Sequence, residues 1–518
     1  IKGHGDPLSW NVGAMIMADY QSDNILVSGG SSITYGQNTK LTSNSDWNWS
    51  TVRGCNSFLQ NYQRSPASEM DKKKYAGEIL FFKAFDYYNK VRLFGDVPWY
   101  DTALDKDDPD LYKGRDSRIV VMASILKTIN QAIEFLPRKT KVYRVSRDAA
   151  LLLKARICLY EGTWRRYRDM EGDVEYLKEA YNAAGELMDY GYSLYKASAT
   201  GENYFDLFIQ DNYNTNTEVI LSKEYDPKVD KGNNVTRQLR LGEMAQMMGM
   251  SKDCADDYLT ITGQPYDQTG VTSVKDELEN RDPRLLQTIA TPYAGPYTYY
   301  LEGKRSSISS FLEGGTHSST GYAIAKFYNE KEFSDTHGVG TLDAIIFRYA
   351  EVLLIRAEAG AELGKDPELD LTVNALRKRV GFNVKLTSSP ATDPKLVAKH
   401  PIIKGTNADL IREIRRERRV ELFGEGLRYA DLMRWGCGER LVAPKAGMML
   451  YTDVYTPEEI AVLKTEVGTY ADGSLDVYGK RVTTPAIFES PKHYLFSLPL
   501  NEMALNPKLK PNNPGWGD

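Results

Sequence analysis

Cysteine and histidine, which often build metal and redox centres, are scarce in this chain. Its 518 residues include four cysteines (Cys55, Cys158, Cys254 and Cys437) and five histidines. The cysteines are far apart and make no CxxC pair, which excludes zinc-ribbon and thioredoxin-like sites. A chain of this size does not need a disulfide framework to fold. We therefore expect buried free thiols, with one long-range disulfide as the alternative.

Catalytic signatures are missing as well. The histidines are scattered, and the sequence has no HExxH, GxSxG or P-loop motif. With 70 acidic residues, a pair of glycosidase carboxylates can be neither excluded nor located. The sequence therefore predicts a protein that is not an enzyme, and a hydrolase is the alternative to be tested.

Long apolar runs and an excess of positive charge are also absent. No apolar run is long enough to span a membrane, and the chain begins at Ile1 without a signal peptide. The formal net charge of −5 argues against a nucleic-acid partner, which would need a basic surface. A hydrophobic content of 42% is typical of a soluble globular protein, so we expect these residues to be soluble by themselves.

Tyrosine, by contrast, is abundant. The chain has 34 tyrosines, and aromatic residues make up 11% of it. A tyrosine offers a flat apolar face and a hydroxyl and loses little entropy when it is ordered, which suits a recognition surface. We expect most of these tyrosines to pack between helices and a few to contact a ligand.

Helical patterns fill two blocks, residues 65–190 and 342–436. The helices come in pairs, with small residues such as Ala350 and Ala357 where helices can cross closely. This pattern predicts a mostly α fold, a tetratricopeptide-like array of about four helix pairs, although the individual repeats match the consensus poorly. The predicted helices span residues 68–94, 117–136, 148–162, 174–190, 342–363, 367–380, 409–423 and 426–435.

The rest of the chain lacks a helical period. Residues 1–64 look loop-dominated apart from a helix at 10–20. Residues 191–341 predict an irregular lobe inserted between the two blocks, and residues 437–518 a loop-rich C-terminal region whose end wraps over the scaffold. Loops on a rigid scaffold are where binding usually lies, so we expect the inserted lobe to capture ligand. The whole chain, residues 1–518, should form a single unit, with strand-like pieces at 218–221 and 323–328.

The segment 409–436 concentrates charge in two predicted helices. Glu413, Glu417 and Glu421 follow at intervals of four and form a like-charge ridge, which an isolated helix disfavours. A solvated surface is one interpretation, but the ridge makes more sense if arginines arrive from neighbouring helices. We predict that Glu417 and Glu421 are partly buried against such arginines, in a network that is structural rather than catalytic.

Two aromatic segments are the best candidates for a binding site. Sugar rings have apolar faces edged by hydroxyls, so a sugar binder needs flat aromatics beside polar side chains. The polar loop at 28–49 and the Gly/Pro turn at 293–300 both have that composition. The two tryptophans of the first loop could instead plug into the core, and Trp49 stands where a helix commonly starts and packs inward. The candidate ligand-binding residues are Tyr35, Trp47, Asn48, Trp49, Tyr293, Tyr297, Tyr299 and Tyr300.

The acidic loop at 105–110 is a weak candidate for a structural calcium site. Asp105, Asp107 and Asp110 offer carboxylate oxygens. The loop lacks the central glycine and the distal glutamate of an EF-hand loop, which favours a solvated loop instead. No other metal and no cofactor is expected.

Five stretches carry a family resemblance. Residues 415–436, RRERRVELFGEGLRYADLMRWG, resemble the C-terminal signature of the SusD/RagB family. Other stretches resemble the same family, occur in the family's order and span nearly the whole chain. They are residues 81–101 (FFKAFDYYNKVRLFGDVPWYD), 281–285 (RDPRL), 347–364 (FRYAEVLLIRAEAGAELG) and 495–516 (LFSLPLNEMALNPKLKPNNPGW).

The resemblance implies a fold, a function and a location. Such proteins are surface lipoproteins of Bacteroidota, built on four helix pairs, that pass nutrients to a SusC-like, TonB-dependent outer-membrane transporter. The glycan binders among them place aromatics from the two segments above side by side. The resemblance also implies an export signal and a lipidated cysteine upstream of Ile1. We therefore expect an outward-facing outer-membrane protein that captures an oligosaccharide or polysaccharide. The alternative is a transporter lid or adapter with peptide cargo or no ligand site of its own.

Overall fold

The fold consists mainly of α-helices joined by irregular segments. The computed structural model describes residues 3–5, 13–27, 30–34, 38–139, 141–196, 201–241, 248–290, 300–301, 304–305, 318–332, 334, 336–453, 455–479 and 486–517. Its helices are α1 (Ala14–Tyr20), α2 (Ser50–Asn61), α3 (Glu69–Phe94), α4 (Arg118–Phe135), α5 (Arg147–Arg166), α6 (Asp173–Met188), α7 (Asn203–Leu207), α8 (Val235–Leu241), α9 (Lys252–Ala255), α10 (Val274–Leu278), α11 (Tyr349–Glu362), α12 (Val373–Arg379), α13 (Pro394–Lys399), α14 (Ala408–Glu421), α15 (Arg428–Arg434), α16 (Pro457–Glu466) and α17 (Leu500–Leu505).

The strands are short and pair two by two. They are β1 (Ile25–Leu26), β2 (Val219–Lys223), β3 (Gly249–Met250), β4 (Tyr300–Leu301), β5 (Lys304–Arg305), β6 (Ala344–Arg348), β7 (Ala446–Met449) and β8 (Ser474–Asp476). Each sheet is an antiparallel pair: β1 with β3, β2 with β6, β4 with β5, and β7 with β8. The predicted mostly α architecture is confirmed.

Polar caps fix where the long helices begin. The side chains of Ser68, Ser117 and Ser146 each accept a hydrogen bond from the backbone N–H three residues on, which starts α3, α4 and α5. Asn407 does the same for α14, accepting from the N–H of Leu410. The array then stacks in order, with α3 against α4, α5 against α6, and α11 between α6 and α14.

The helix predictions differ from the structure at several places. Residues 344–348 form strand β6 instead of the start of a helix, because the run Ala-Ile-Ile-Phe-Arg pairs with β2. Helix α2 was not predicted, since Gly54 and several polar residues hide its pattern. The C-terminal tail contains the short helix α17, where no helix was expected. Ala323 and Ile324, predicted to begin a strand, make isolated bridges only.

The tail wraps over the array, as predicted. The N–H of Phe496 donates to the carbonyl of Leu93 at 2.8 Å, and Asn513 Nδ2 donates to the carbonyl of Phe94 at 2.9 Å. Asn506 Nδ2 donates to the carbonyl of Lys113, also at 2.8 Å. These bonds hold the chain's end against the C-terminus of α3 and against the segment between α3 and α4.

The charged ridge of α14 is buried, which confirms the prediction for Glu417 and Glu421. Glu421 is fully buried and lies 2.7 Å from Arg348 Nη1 and 2.5 Å from Arg379 Nη2. Arg284, from the inserted lobe, reaches both Glu417 at 2.6 Å and Glu421 at 3.1 Å. Burial alone would raise the pKa of Glu421, but these arginines hold it well below its usual range. The network therefore ties the inserted lobe to the helical array.

The cysteines agree with the sequence analysis. All four cysteines are buried free thiols. In the part of the chain that the structure describes, no helix combines the length and apolar character needed to cross a bilayer.

Candidate functional site

The residues just before the first aromatic loop (28–49) lie close to the residues that follow the segment 291–317, which contains the second aromatic loop (293–300). Strand β1, which ends at Leu26, pairs with β3, and the N–H of Met250 in β3 donates to the carbonyl of Tyr322 at 2.9 Å. Ser319 Oγ also donates to the carbonyl of Leu26 at 3.4 Å. The end of β1 and the residues at 318–322 are therefore neighbours.

The second loop leaves and returns at the same place. The N–H of Ala290 donates to the carbonyl of Ala323 at 2.8 Å, and Ile289 bridges Ile324. The residues that flank the segment 291–317 are therefore held together. The two aromatic loops are remote along the chain. The residues before the first loop and the residues on both sides of the second nevertheless meet in one small β-structure.

Several candidate residues lie outside the described part of the chain. They are Tyr35, Tyr293, Tyr297 and Tyr299. Tyr300 lies in β4, whose backbone pairs with Arg305 of β5. The ligand-binding role of these five tyrosines stays a prediction.

Trp47 belongs to the core, so the structure corrects its candidacy as a free stacking surface. Its side chain is only 5% exposed and packs edge-on against Phe94, with ring centroids 4.9 Å apart. Lys90 of α3 causes this burial: its Nζ donates to the carbonyls of Asp46 at 3.1 Å and of Asn48 at 2.6 Å. These two hydrogen bonds hold the loop against α3, and Trp47 is buried there.

Asn48 and Trp49 are more accessible than Trp47. Asn48 is exposed, and its Oδ1 accepts from the N–H of Ser50, which starts α2. Trp49 is half-buried, with Lys90 Nζ 5.0 Å from its ring centroid and the Tyr100 ring 5.6 Å away, edge-on. Trp49 therefore presents part of its indole to the surface while the rest packs on the core.

A groove of about 400 Å³ runs beside Trp49. Asn56 at its base is fully buried, and its Nδ2 donates to the carbonyls of Tyr100 and Thr102, both at 2.9 Å. Its Oδ1 finds no partner among the described residues. An aromatic wall beside a buried amide oxygen suits a ligand with an apolar face and a hydroxyl. The apolar lining residues are Trp47, Trp49, Val52, Pro98, Tyr100, Leu104, Leu111, Tyr112, Leu505 and Leu509.

Sequence reasoning found Trp49 but missed Tyr100, Tyr112 and Asn56. Tyr112 is 54% exposed, and with Tyr100 it flanks the loop that was considered only for its acidic residues. A signal was present, because an exposed aromatic next to a polar loop is a feature of recognition surfaces. The contact with Asn56, 44 positions away from Tyr100, could not be read from the sequence.

The acidic loop does not form a calcium site. Asp105, Asp107 and Asp110 are all exposed, and the N–H of Asp110 is bound by Asp108 Oδ1 at 2.9 Å, which closes a tight turn. Among the described residues, no three acidic, histidine or cysteine side chains are grouped so that they could hold a metal. The calcium candidate was therefore wrong, and the solvated loop was the better interpretation.

His4, His400 and His493 are buried, and the first two have structural roles. Burial lowers the pKa of His4 to about 3, so its ring is neutral, and it packs between Tyr225 and Phe327. Burial also lowers the pKa of His400, which lies edge-on to Trp435. Neither ring is open to a substrate.

Comparison with known protein families gives two matches that together cover most of the chain. Residues 217–516 match the sequence model of the SusD family. Residues 15–159 match a second family described as starch-binding and associating with the outer membrane.

Individual relatives are distant but similar over most of their length. SusD-like protein P2 of Formosa agariphila is 26% identical over 457 residues, covering 85% of this chain and 74% of its own. Starch-binding protein SusD of Bacteroides thetaiotaomicron is 24% identical over 414 residues, covering 74% and 67%. The crystal structure of a SusD-like carbohydrate-binding protein from Bacteroides fragilis superposes with a TM-score of 0.75 at 23% identity, covering 97% of this chain and 94% of that one. The last similarity shows a shared fold.

Proposed function

Because the chain belongs to the SusD family, we propose that it captures oligosaccharides at the outer surface of the outer membrane and delivers them to a SusC-like, TonB-dependent transporter. The family is one of carbohydrate-binding proteins, and the N-terminal match is described as associating with the outer membrane. The glycan ligand, the transporter and the outward-facing location are the parts that we propose for this chain.

The observation that supports a ligand site most directly is the shared base of the two aromatic loops. Leu26, where the first loop begins, accepts a hydrogen bond from Ser319, where the second loop returns. A sugar platform needs at least two aromatic surfaces, because one stacked ring gives weak and unselective binding. Loops that start from one base can bring Tyr35 and the tyrosines at 293–300 to the same ligand.

Trp49 and Asn48 extend the proposed site toward α2. Trp49 offers part of its indole to the groove, and the neighbouring Tyr100 adds a second aromatic wall. The buried oxygen of Asn56 can accept a hydrogen bond from a sugar hydroxyl that reaches it. Trp47 is not part of the proposed site, because its ring is occupied by core contacts.

The mechanism that we propose is binding alone. Aromatic faces supply affinity for the apolar faces of the sugar, and polar neighbours select the geometry of its hydroxyls. No bond of the glycan is made or broken. The transporter takes over the ligand where this protein covers its mouth, which requires a large and stable interface between the two proteins.

A panel of polysaccharides in native affinity gels tests the proposal. We expect at least one glycan to retard the protein, while a non-binding protein of similar size in the same lane is not retarded. If no glycan retards the protein while the protein still co-purifies with the transporter, the result would favour an adapter without a glycan site of its own.

Prolonged incubation with a bound glycan should release no new reducing ends, since we propose no catalytic group. The measurement is a reducing-end assay with repurified protein. A rate that survives repurification and scales with protein concentration would show a hydrolase instead.

A further inference from the structure

A second and larger cavity, of about 720 Å³, lies between α3, α5, β6, α14 and α15. Its rim includes the exposed residues Gln21, Ser45, Asn48 and Thr51, and its interior is lined by charged and tyrosine side chains. The cavity therefore opens beside the first aromatic loop and reaches toward the ion-pair network of α14.

Almost every charged side chain inside this cavity has a partner of opposite sign. The partners lie within hydrogen-bonding distance, and all but the first pair join different elements of the fold. The pairs are Lys90 with Asp86 (3.2 Å), Arg156 with Glu351 (2.6 Å), Arg348 with Glu425 (2.7 Å), Arg418 with Asp431 (2.8 Å) and Arg434 with Glu358 (2.5 Å).

Among the described residues two lining side chains are exceptions: Asp46, which is exposed at the rim, and Arg92 of α3, which is half-buried. No carboxylate in the described ranges lies within ion-pair distance of it, and its buried Nε makes no hydrogen bond to them. Its guanidinium carbon lies 5.9 Å from the Tyr88 ring centroid. An arginine keeps its charge in a protein, so Arg92 brings to this cavity a positive charge that has no ion-pair partner among the described residues.

Two further donors in the cavity are incompletely used. Tyr160 is 2% exposed, its ring lies 5.6 Å from that of Tyr88, and its hydroxyl makes no hydrogen bond within the described structure. Burial raises the pKa of Tyr160, so the hydroxyl keeps its proton and can donate. Arg418 is 3% exposed and donates through Nε to Asp431, but its Nη1 has no described partner.

Together these groups select one chemical class of ligand. Arg92 Nε and Arg418 Nη1 can only donate hydrogen bonds, and the protonated Tyr160 hydroxyl adds a third donor. Water can satisfy donors, but it leaves the charge of Arg92 unbalanced, whereas an anion does both. We propose that this cavity binds a small oxyanion, a carboxylate or sulfate group, with Arg92 as the cationic contact.

The oxyanion can be free in solution or can belong to an acidic sugar. The rim at Asn48 lies next to the proposed glycan site, so an acidic group on a bound glycan has a route into the cavity. A carboxylate presents a planar pair of acceptor oxygens and a sulfate group a tetrahedral set, whether the group is free or belongs to a sugar. The experiment separates them by using free and sugar-borne anions.

Isothermal titration calorimetry with three probes at matched ionic strength in chloride buffer tests the site. The probes are sodium sulfate, sodium glucuronate and neutral glucose. We expect heat of binding at one site per chain for sulfate, for glucuronate or for both, and none for glucose. A response to glucuronate alone assigns the site to sugar carboxylates, and a response to sulfate shows that a free oxyanion suffices. No response to either anion overturns the proposal.

Arg92→Gln is the decisive variant, because removing the Arg92 guanidinium leaves no described carboxylate without a partner. We expect it to weaken anion binding at least about tenfold, the loss expected for one charge-assisted hydrogen bond. Arg64→Gln, at an exposed arginine outside the cavity, changes the net charge equally and should bind as the wild type does. Equal weakening in both variants would reduce the effect to general electrostatics and overturn the site.

Tyr160→Phe and a heavy-atom anion keep the test decisive if Arg92→Gln does not fold. Tyr160→Phe removes one hydroxyl and should weaken anion binding without unfolding the chain. Crystals soaked in selenate should show an anomalous peak in the cavity near Arg92. Peaks confined to the outer surface mean an adventitious ion only and overturn the proposal. A chain that binds neutral glycans but neither anion keeps the proposed function and loses this site.

Discussion

At the scale of single residues, the charges buried under α14 hold the inserted lobe to the array. Glu417 forms ion pairs with Arg284 of the lobe and with Arg377 of α12, at 2.6 Å and 2.9 Å. All three side chains are at most 3% exposed. Such groups stabilise the fold only as a set, because each one alone would be a buried charge.

Glu417→Ala should therefore lower the free energy of unfolding by about 3–5 kcal/mol, since it leaves two buried arginines without this carboxylate. Chemical denaturation measures the change. Glu78→Ala is the matched control, because its partner Arg144 is largely exposed and such a pair contributes about 1 kcal/mol or less. An unchanged midpoint for Glu417→Ala would show that the network does not stabilise the fold.

Asp343 predicts that the stability of the fold decreases as the pH rises. Burial, with added repulsion from Glu224, Asp211 and Glu332, raises the pKa of Asp343 from 3.8 to about 7, although the N–H of Tyr225 opposes the shift. Between those values the folded protein holds a proton that the unfolded chain has lost. This residue's contribution to stability is therefore complete below about pH 4 and is lost as the pH rises to 7.

Asp343→Asn should remove that dependence. The amide mimics the protonated acid, so the variant should gain stability relative to the wild type by at least about 1 kcal/mol between pH 5 and pH 7. Urea unfolding at the two pH values measures the difference. Parallel stability curves for the two proteins would contradict the raised pKa.

At the scale of elements, contacts with α3 determine the position of the loop at 38–49. Lys90 binds two of its carbonyls, and Trp47 fills a space beside Phe94. We expect Trp47→Ala to cost about 3–5 kcal/mol of stability, as for other large aromatics removed from a core. Thermal and chemical unfolding measure the loss, with exposed Tyr112→Ala as the control. A fully stable Trp47→Ala protein with weakened glycan binding would instead restore Trp47 to the ligand site.

The elements that could be predicted are those with a strong local pattern. Ser117, Ser146 and Asn407 begin their helices as capping chemistry requires, and the ridge of α14 pointed to arginine partners. Strand β6 was taken for helix because a short apolar run has no period that separates the two. The groove beside Trp49 could not be predicted, because it forms only when Asn56 meets the carbonyls of a segment far along the chain.

At the scale of the whole molecule, the helical array carries a lobe whose residues 318–324 adjoin strand β1, just before the first aromatic loop. The array supplies the long helices, and the lobe is tied to it by the ion pairs of Arg284 with Glu421 and of Arg348 with Glu218. The family resemblance carried by the motifs agrees with the SusD family match over residues 217–516. The glycan site itself rests on the tyrosines at 293–300, whose ligand contacts stay a prediction.

The loss of glycan affinity in loop variants tests this account most directly. We predict that Tyr297→Ala and Tyr300→Ala each weaken binding of the glycan found in the panel at least about thirtyfold, as aromatic hot spots do, with the melting temperature unchanged. Tyr75→Ala is the control: it is 45% exposed on α3 and lies fifteen positions before Lys90, about 22 Å along the helix. Titration calorimetry of the three variants should show normal affinity in Tyr75→Ala alone. Two stable loop variants that bind as tightly as the wild type would contradict the account and place the ligand elsewhere.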